Sequence, residues 1–207
     1  MIKFFLLSFL FFISLFIIPN IHAYLSFSKP INADILLVEG WISVDYAPKI
    51  LKEYYRNHYS RIVVIGETKP DIVNADKNDR YTNPVKLSKS LRSFSKNKIV
   101  INLVNARYVE KHQTLNYMVC FKNWLFRELP NAKSVNLFSA SAHSRKSFLL
   151  LRRVLPASIK LGVISAAPIT YNAKYWWLSK RGIWVVFKNS IAYIYAFAFE
   201  NFQSLKC

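Results

Sequence analysis

Two short stretches place polar, reactive side chains directly after sequence that is typical of a buried strand. The first is Val38–Trp41, which reads Val-Glu-Gly-Trp and ends an apolar run. The second is the serine-rich run 139–147, which reads Ser-Ala-Ser-Ala-His-Ser-Arg-Lys-Ser and precedes a helical pattern. Ligands of open α/β sheets bind at the carboxyl edge of the strands, so we expect the functional site where these stretches meet.

The run 139–147 offers the groups that an anion needs. The start of a helix presents free N–H groups and the positive end of its dipole. Hydroxyl, imidazole and guanidinium groups then add hydrogen bonds to phosphate or carboxylate. We therefore predict that Ser139, Ser141, Ser144 and Arg145 bind a ligand and that His143 acts as an acid or base. The alternative is that Ser141 only caps the helix and His143 lies on the surface. There is no Gly-x-Ser-x-Gly sequence, so a hydrolase triad is not predicted.

Two carboxylates, Glu39 and Glu67, each follow a predicted strand. At one edge of adjacent strands they could act as acid and base, hold a metal ion, or accept hydrogen bonds from a sugar or ribose. Ordinary capping or pairing with Lys and Arg is the alternative. No histidine cluster with metal-ligand spacing accompanies them, so a metal site is not predicted. Gly40 and Gly66 beside them indicate tight turns or a close backbone approach at a binding edge.

The net charge and glycine content of the chain limit the classes of partner that it can bind. The net charge of +18 favours an anionic partner such as phospholipid, a polyanion or nucleic acid, although a solvated surface is the simpler interpretation. No nucleic-acid recognition motif is present, and export would separate the chain from nucleic acid. Only 4 glycines occur, which excludes a Gly-rich dinucleotide or phosphate-binding loop, and the sequence does not identify a cofactor.

Residues 1–23 have the pattern of a targeting segment. Lys3 precedes a run from Phe4 to Ile18 that is apolar except for two serines, and Ala23 ends a weak cleavage signal. Either a signal peptide or an uncleaved hydrophobic anchor helix fits, and we favour the anchor. Both predict delivery of the remaining chain across a membrane.

The rest of the chain alternates between strand-like and helical patterns, which predicts one α/β domain over residues 33–200 with a parallel sheet of about five strands. A polar loop at Thr68–Asn83 is a candidate lid. The apolar tail, Gly182–Phe202, indicates core packing or contact with lipid. The predicted strands are Asp34–Glu39, Arg61–Ile65, Lys98–Leu103, Ser134–Phe138 and Ile159–Ile164, and the helices are Asp45–His58, Pro84–Ser95, Gln113–Leu129 and Ala142–Leu155.

Several of these pieces occur in an order that resembles the YdcF-like family (ElyC/SanA/YdcF). The resemblance covers about Ala33 to Phe199. It rests on the following matches: Ala33–Trp41 to the opening strand and Glu-Gly-Trp loop, Arg61–Gly66 to the second strand, Thr114 to the threonine that opens the third helix, His143–Ser147 to the His-x-Arg-Arg-Ser turn, and Tyr171, Trp176-Trp177 and Ile191-Ala192-Tyr193 to the C-terminal pattern.

The resemblance implies a Rossmann-like domain, commonly membrane-anchored and linked to the integrity of the bacterial envelope. It adds Trp41 and Thr114 to the expected ligand-binding residues. Three positions depart from the pattern: Glu67 replaces a second glycine, Tyr117 a small or amide residue, and Asn189 a glutamate.

We therefore expect an inner-membrane protein whose domain faces the periplasm or exterior and binds an anionic small molecule or envelope lipid precursor. A transferase or hydrolase acting on phosphate- or sugar-bearing envelope substrates is one form of this hypothesis. The alternative is a non-catalytic envelope assembly or integrity factor.

Overall fold

A five-stranded, all-parallel sheet forms the centre of the domain in the computed structural model, which describes residues 18–67, 83–95 and 99–199. The strand order is β3-β2-β1-β4-β5. The strands are β1 (Ile35–Glu39), β2 (Arg61–Gly66), β3 (Ile101–Asn105), β4 (Ser134–Ala140) and β5 (Lys160–Ala166). The predicted Rossmann-like α/β class, with about five parallel strands and flanking helices, is confirmed.

Helices connect the strands and cover both faces of the sheet. They are α1 (residues 18–25), α2 (Ala47–Asn57), α3 (Asn83–Phe94), α4 (Gln113–Glu128), α5 (Ser144–Val154) and α6 (Lys180–Phe199). Short 3₁₀ turns precede α2, α5 and α6. Each predicted helix therefore exists, with its ends moved by a few residues.

The apolar runs of the sequence become strands that are buried on both faces. Every residue of β1 is buried, and alternate side chains enter two different core layers. Ile35 and Leu37 pack against α4 and α5, whereas Leu36 and Val38 pack against α2 and α3. This two-sided burial is why β1 and β2 are nearly continuous apolar runs, without the polar alternation of a strand that has one face in water.

The edge strand β3 is displaced from its predicted position, Lys98–Leu103. It continues to Asn105 because Leu103 and Asn105 point outward at the sheet edge, where polar and exposed residues are tolerated. The turn before α2 is capped by Ser43, two residues before the predicted helix Asp45–His58, because the Ser43 hydroxyl accepts the backbone N–H of Asp45 at 3.3 Å.

The segment that precedes β1 belongs to the folded domain. Leu25 in α1 is buried, and Lys29 pairs with Val163 of β5 through backbone hydrogen bonds of 2.8 and 3.1 Å. The Asn136 amide, buried in β4, donates to the carbonyl of Ile31 and accepts its N–H. The folded unit therefore begins before residue 33, the boundary that the sequence pattern suggested.

Two sequence-based expectations lie wholly or mainly outside the described residues. The apolar run from Phe4 ends at Ile18, so only its last residue is described, and of the candidate lid Thr68–Asn83 only Asn83 is described. Among the helices of the described part of the chain, none is both long and apolar enough to cross a membrane.

The apolar tail forms α6, which is buried on one face only. Val186 and Ala196 point inward, where α6 packs against α5 and against the 3₁₀ turn Trp176–Leu178. The opposite face carries large exposed apolar side chains, among them Phe187 and Ile194. Core packing, the simpler of the two expectations for this tail, therefore describes only its inner face.

Candidate functional site

The carboxyl ends of β1 and β4 form the base of a cleft of about 1310 Å³. These two strands are neighbours in the sheet but are not consecutive in the chain. The chain leaves them toward opposite sides of the sheet, which opens a crevice between the two connections. Both stretches that opened the sequence analysis meet at this edge, as expected.

Glu39, the last residue of β1, is fully buried beneath this cleft. Its carboxylate accepts hydrogen bonds from the hydroxyls of Ser139, at the end of β4, and Ser147, in α5, the latter at 2.8 Å. The Trp41 indole adds a further hydrogen bond. Burial raises the pKa of Glu39, while these donors and the charge of Lys146 act in the opposite direction. Glu39 therefore holds β1, β4 and α5 together at the site.

His143 lies between Glu39 and the cleft. Its Nδ1 is 2.9 Å from Oδ1 of Asn189 in α6, and since that oxygen can only accept, Nδ1 carries the proton. Its Nε2 lies 3.7 Å from Oε1 of Glu39 and, among the described residues, has no hydrogen-bond partner. Burial lowers the pKa of His143 to about 3, and the charge of Lys146 contributes. The ring is therefore neutral near pH 7 and packs edge-on against Trp41, with centroids 4.7 Å apart.

Glu67 does not share a pocket with Glu39. The Tyr117 hydroxyl is hydrogen-bonded to the backbone of Glu67 and is close enough to both carboxylates to be affected by their charges. Burial, followed by the Glu67 charge, raises the pKa of the Tyr117 hydroxyl. Tyr117 also lines the cleft, whereas neither carboxylate does. The predicted pairing of two carboxylates at a common pocket is therefore not found.

Gly40 and Gly66 are explained by a helix and not by a ligand. A Cβ at Gly40 would lie 2.7 Å from Pro84 in α3, and one at Gly66 would lie 2.5 Å from it. The close approach that these glycines predicted is real, but Pro84 occupies the space. Neither glycine lines the cleft.

Ser141 is at the strand-to-helix turn in a left-handed backbone conformation, with φ of 49°, which residues other than glycine rarely adopt. The Ser141 hydroxyl is 2.9 Å from Nε2 of His22 and 2.9 Å from the hydroxyl of Tyr171. Burial lowers the pKa of His22. Ser141 and Tyr171 line the cleft, so α1 contributes to the structure beneath it through His22.

Ser144 and Arg145 face away from the cleft. The Ser144 hydroxyl is within hydrogen-bond distance of the carbonyls of Leu25 and Phe27, at 3.2 and 3.0 Å. The Arg145 guanidinium donates to the carbonyl of Tyr24 and lies over the Tyr24 ring, 3.8 Å from its centroid. Both residues, expected to bind a ligand, instead fasten residues 24–27 to α5.

Cations line the walls of the cleft instead. Lys146 donates from Nζ to the hydroxyl of Thr114 at 3.0 Å, which links α5 to the start of α4 at the cleft. The described lining contains no Asp or Glu side chain. It contains five Lys and Arg side chains, namely Lys86, Lys111, Lys146, Arg181 and Lys188.

Of the predicted site residues, Trp41, Thr114, Ser141 and His143 line the cleft together. Glu39 and Ser139 lie directly beneath it as a hydrogen-bonded pair.

The sequence interpretation missed the contribution of α6, which supplies Arg181, Trp184, Lys188 and Tyr195 to one wall of the cleft. Helical periodicity over residues 181–195 would have placed these side chains on one face. His22 was missed for another reason, because the sequence pattern assigned residues 1–23 to a targeting segment outside the folded domain.

No protein-family model matches this chain, and neither does any curated protein or any solved structure. The resemblance to the YdcF-like family therefore stays a prediction that rests on the motifs quoted above. Within the described residues there is no group of three or more His, Cys, Asp or Glu side chains arranged to hold a metal ion.

Proposed function

We propose that this protein binds a phosphate-bearing small molecule in the cleft above Glu39 and His143. The observation that carries the proposal is the charge of the lining, which has five Lys and Arg side chains and no carboxylate among its described residues. A lysine ammonium donates three hydrogen bonds as a compact point charge, which suits phosphate oxygens. Five such cations supply enough positive charge for a diphosphate or for two separate phosphates.

The remaining wall supports a ligand that also has an apolar or planar part. Trp41, Tyr171, Trp184 and Tyr195 contribute aromatic side chains to the lining. Pockets that combine apolar walls with a few polar anchors are typical of small-molecule sites. The proposed ligand is thus a phosphate ester of a larger organic group, a class that includes the envelope lipid precursors expected from the sequence analysis.

We place the protein at a bacterial inner membrane, with the domain on the outer side. The apolar run Phe4–Ile18 and the family resemblance support this location. The position of His22 supports retention of the leader, because cleavage after Ala23 would remove a buried ring that is hydrogen-bonded to Ser141 and Tyr171. An uncleaved anchor is consequently the preferred form of the hypothesis.

Transferase or hydrolase chemistry at His143 is the second candidate function. It is favoured by the displaced pKa values of two adjacent groups, raised at Glu39 and lowered at His143. Such displaced pairs are enriched at catalytic sites. A phosphate bound near the ring would stabilise its protonated form, so His143 could then donate a proton to a leaving oxygen. The non-catalytic alternative needs only the cationic cleft.

Binding of inorganic pyrophosphate, measured by calorimetry at low ionic strength, tests the proposal. We expect Lys146→Ala and Lys188→Ala each to weaken binding about tenfold, which corresponds to the loss of one charge-assisted hydrogen bond. Lys52→Ala is the matched control, because Lys52 is an exposed lysine of α2 outside the cleft. Equal weakening by Lys52→Ala would show that the affinity arises from overall charge, and the cleft proposal would then fail.

A further inference from the structure

The outward face of α6 is an apolar stripe that the domain leaves uncovered. Its side chains recur every three or four residues on one side of a helix of 20 residues, about 30 Å long at 1.5 Å per residue. Trp184 is 57% exposed, Phe187 59% and Ile194 63%. The stripe consists of Ile183, Trp184, Phe187, Ile191, Ile194 and Tyr195. A continuous apolar patch of this kind marks an interaction surface.

The stripe is held in a fixed orientation. On the inner side of α6, Val186 is buried with Leu25 of α1, and the Tyr193 hydroxyl lies 3.2 Å from that of Tyr24. Near the end of the helix, Arg153 of α5 donates to the carbonyl of Phe197 at 2.8 Å. Turning the apolar stripe inward would break these contacts, so it faces outward in the folded protein.

Charge on α6 selects the kind of partner. The helix contains no acidic residue, and its exposed cations are Lys180, Arg181 and Lys188. Arg181 and Lys188 are two helical turns apart and flank the stripe on the side that lines the cleft. An apolar stripe bordered by Lys and Arg is the pattern of a helix that lies in the interface of an anionic membrane.

We infer that the outward face of α6 docks into the surface of a lipid bilayer that contains anionic phospholipid. This places the mouth of the cleft at the level of the lipid headgroups, because Trp184, Ile191 and Tyr195 belong to both surfaces. The inference goes beyond the proposed binding function, since the cleft could bind a phosphate whether or not α6 contacts lipid.

Two other occupants of the stripe fit less well. A second copy of the chain would bring another net charge of +18 against the cations that border the stripe. The chain's own run Phe4–Ile18 has no polar side, so a helix of that sequence laid over α6 would expose as much apolar surface as it covered.

Quenching of Trp184 by lipids brominated on their acyl chains tests this contact in the full chain. The difference in emission between the unaltered chain and Trp184→Phe isolates the signal of this residue from the other four tryptophans. With vesicles of phosphatidylcholine and phosphatidylglycerol we expect loss of roughly half of that signal, since an interfacial helix sits 5–10 Å into the boundary of the acyl chains. We expect weaker quenching of Trp184 with vesicles of phosphatidylcholine alone, because Arg181 and Lys188 then meet no anionic headgroups.

The variant Phe187→Asp/Ile194→Asp should abolish the quenching without lowering the urea midpoint, because both side chains are exposed. Phe94→Asp is the matched control, since Phe94 is 59% exposed on α3 and lies outside the stripe. It should leave quenching unchanged. Whether or not residues 1–17 hold the chain on the vesicle, the signal reports α6 itself.

Absence of quenching in both kinds of vesicle would overturn the inference. If Trp184 then crosslinks to residues 1–17 or to a second chain, that segment or copy is the occupant. Equal quenching in the double-aspartate variant would also overturn it, because Trp184 would then reach lipid without the stripe.

Discussion

The start of α5, together with His143 just before it, has two sides, and neighbouring residues of this motif point to different ones. His143 and Lys146 face the cleft, where His143 meets Trp41 and Lys146 meets Thr114. Ser144 and Arg145 face the N-terminal segment, where their side chains contact the backbone carbonyls of residues 24–27.

The contrast shows why a motif does not define a site by itself. Residues separated by three positions on a helix share a side, whereas adjacent residues are about 100° apart. An arginine that suits phosphate in chemical type can therefore be directed into aromatic rings and backbone carbonyls. The cation that faces the cleft is its neighbour, Lys146.

The largest expected effect on stability comes from removing the carboxylate of Glu39, which lies beneath the start of α5. We expect Glu39→Ala to lower the free energy of unfolding by about 3 kcal/mol or more, because it leaves the hydroxyls of Ser139 and Ser147 buried without an acceptor and opens a cavity. Urea denaturation followed by circular dichroism measures the loss. The control is Glu39→Gln, which keeps one acceptor oxygen and should lose about half as much. A loss below that of Glu39→Gln would mean that the carboxylate does not hold the turn.

The next test measures how stability depends on pH, which reports on His143 on the cleft side. The pKa of His143 is about 3 in the folded protein against 6.5 when unfolded, so the unfolded chain binds more protons between these values. Stability is therefore fully present above pH 6.5 and is lost as the pH falls toward 3. From pH 7 to pH 5 we expect a loss of about 2 kcal/mol in the free energy of unfolding, to which His22 adds in the same direction.

Urea denaturation at the two pH values measures this dependence. His143→Gln cannot take up the proton, so its stability should change less with pH than that of the unaltered chain. If stability changes equally with pH in both proteins, His143 is not buried in its neutral form.

The smallest effects separate the two sides directly. We expect Arg145→Ala to lower stability by about 1 kcal/mol, through lost contact with the rings of Tyr24 and Phe27, and to leave pyrophosphate affinity unchanged. Lys146→Ala should instead weaken pyrophosphate binding and leave stability unchanged. Paired calorimetry and urea denaturation on the two variants measure both quantities. Loss of pyrophosphate affinity in Arg145→Ala would restore Arg145 to the site and remove the distinction between the two sides.

Much of the fold was predictable because its strands are buried on both faces. The apolar runs at Ile35–Glu39 and Arg61–Gly66 left little choice of position, and their regular alternation with helical patterns indicates a parallel sheet. The edge strand Ile101–Asn105 was less predictable, because one side of it is exposed and polar residues no longer mark its end.

The candidate site was predictable as a place and only partly as a set of residues. Glu39, Ser139 and His143 could be located because they lie at, or just after, the carboxyl ends of buried strands. The role of Asn189 as the partner of His143 depends on α6 crossing the sheet edge, 46 residues further along the chain. No local pattern reports such a contact.

The sequence by itself determined the α/β class, the parallel sheet and the edge where the two polar stretches meet, because hydrophobic periodicity and strand burial are local properties. Only the tertiary structure decided that Arg145 turns away while Lys146 and Lys188 face the cleft, that Pro84 fills the space beside Gly40 and Gly66, and that one face of α6 stays exposed. Each of these depends on which distant elements pack together, and packing is a property of the whole chain.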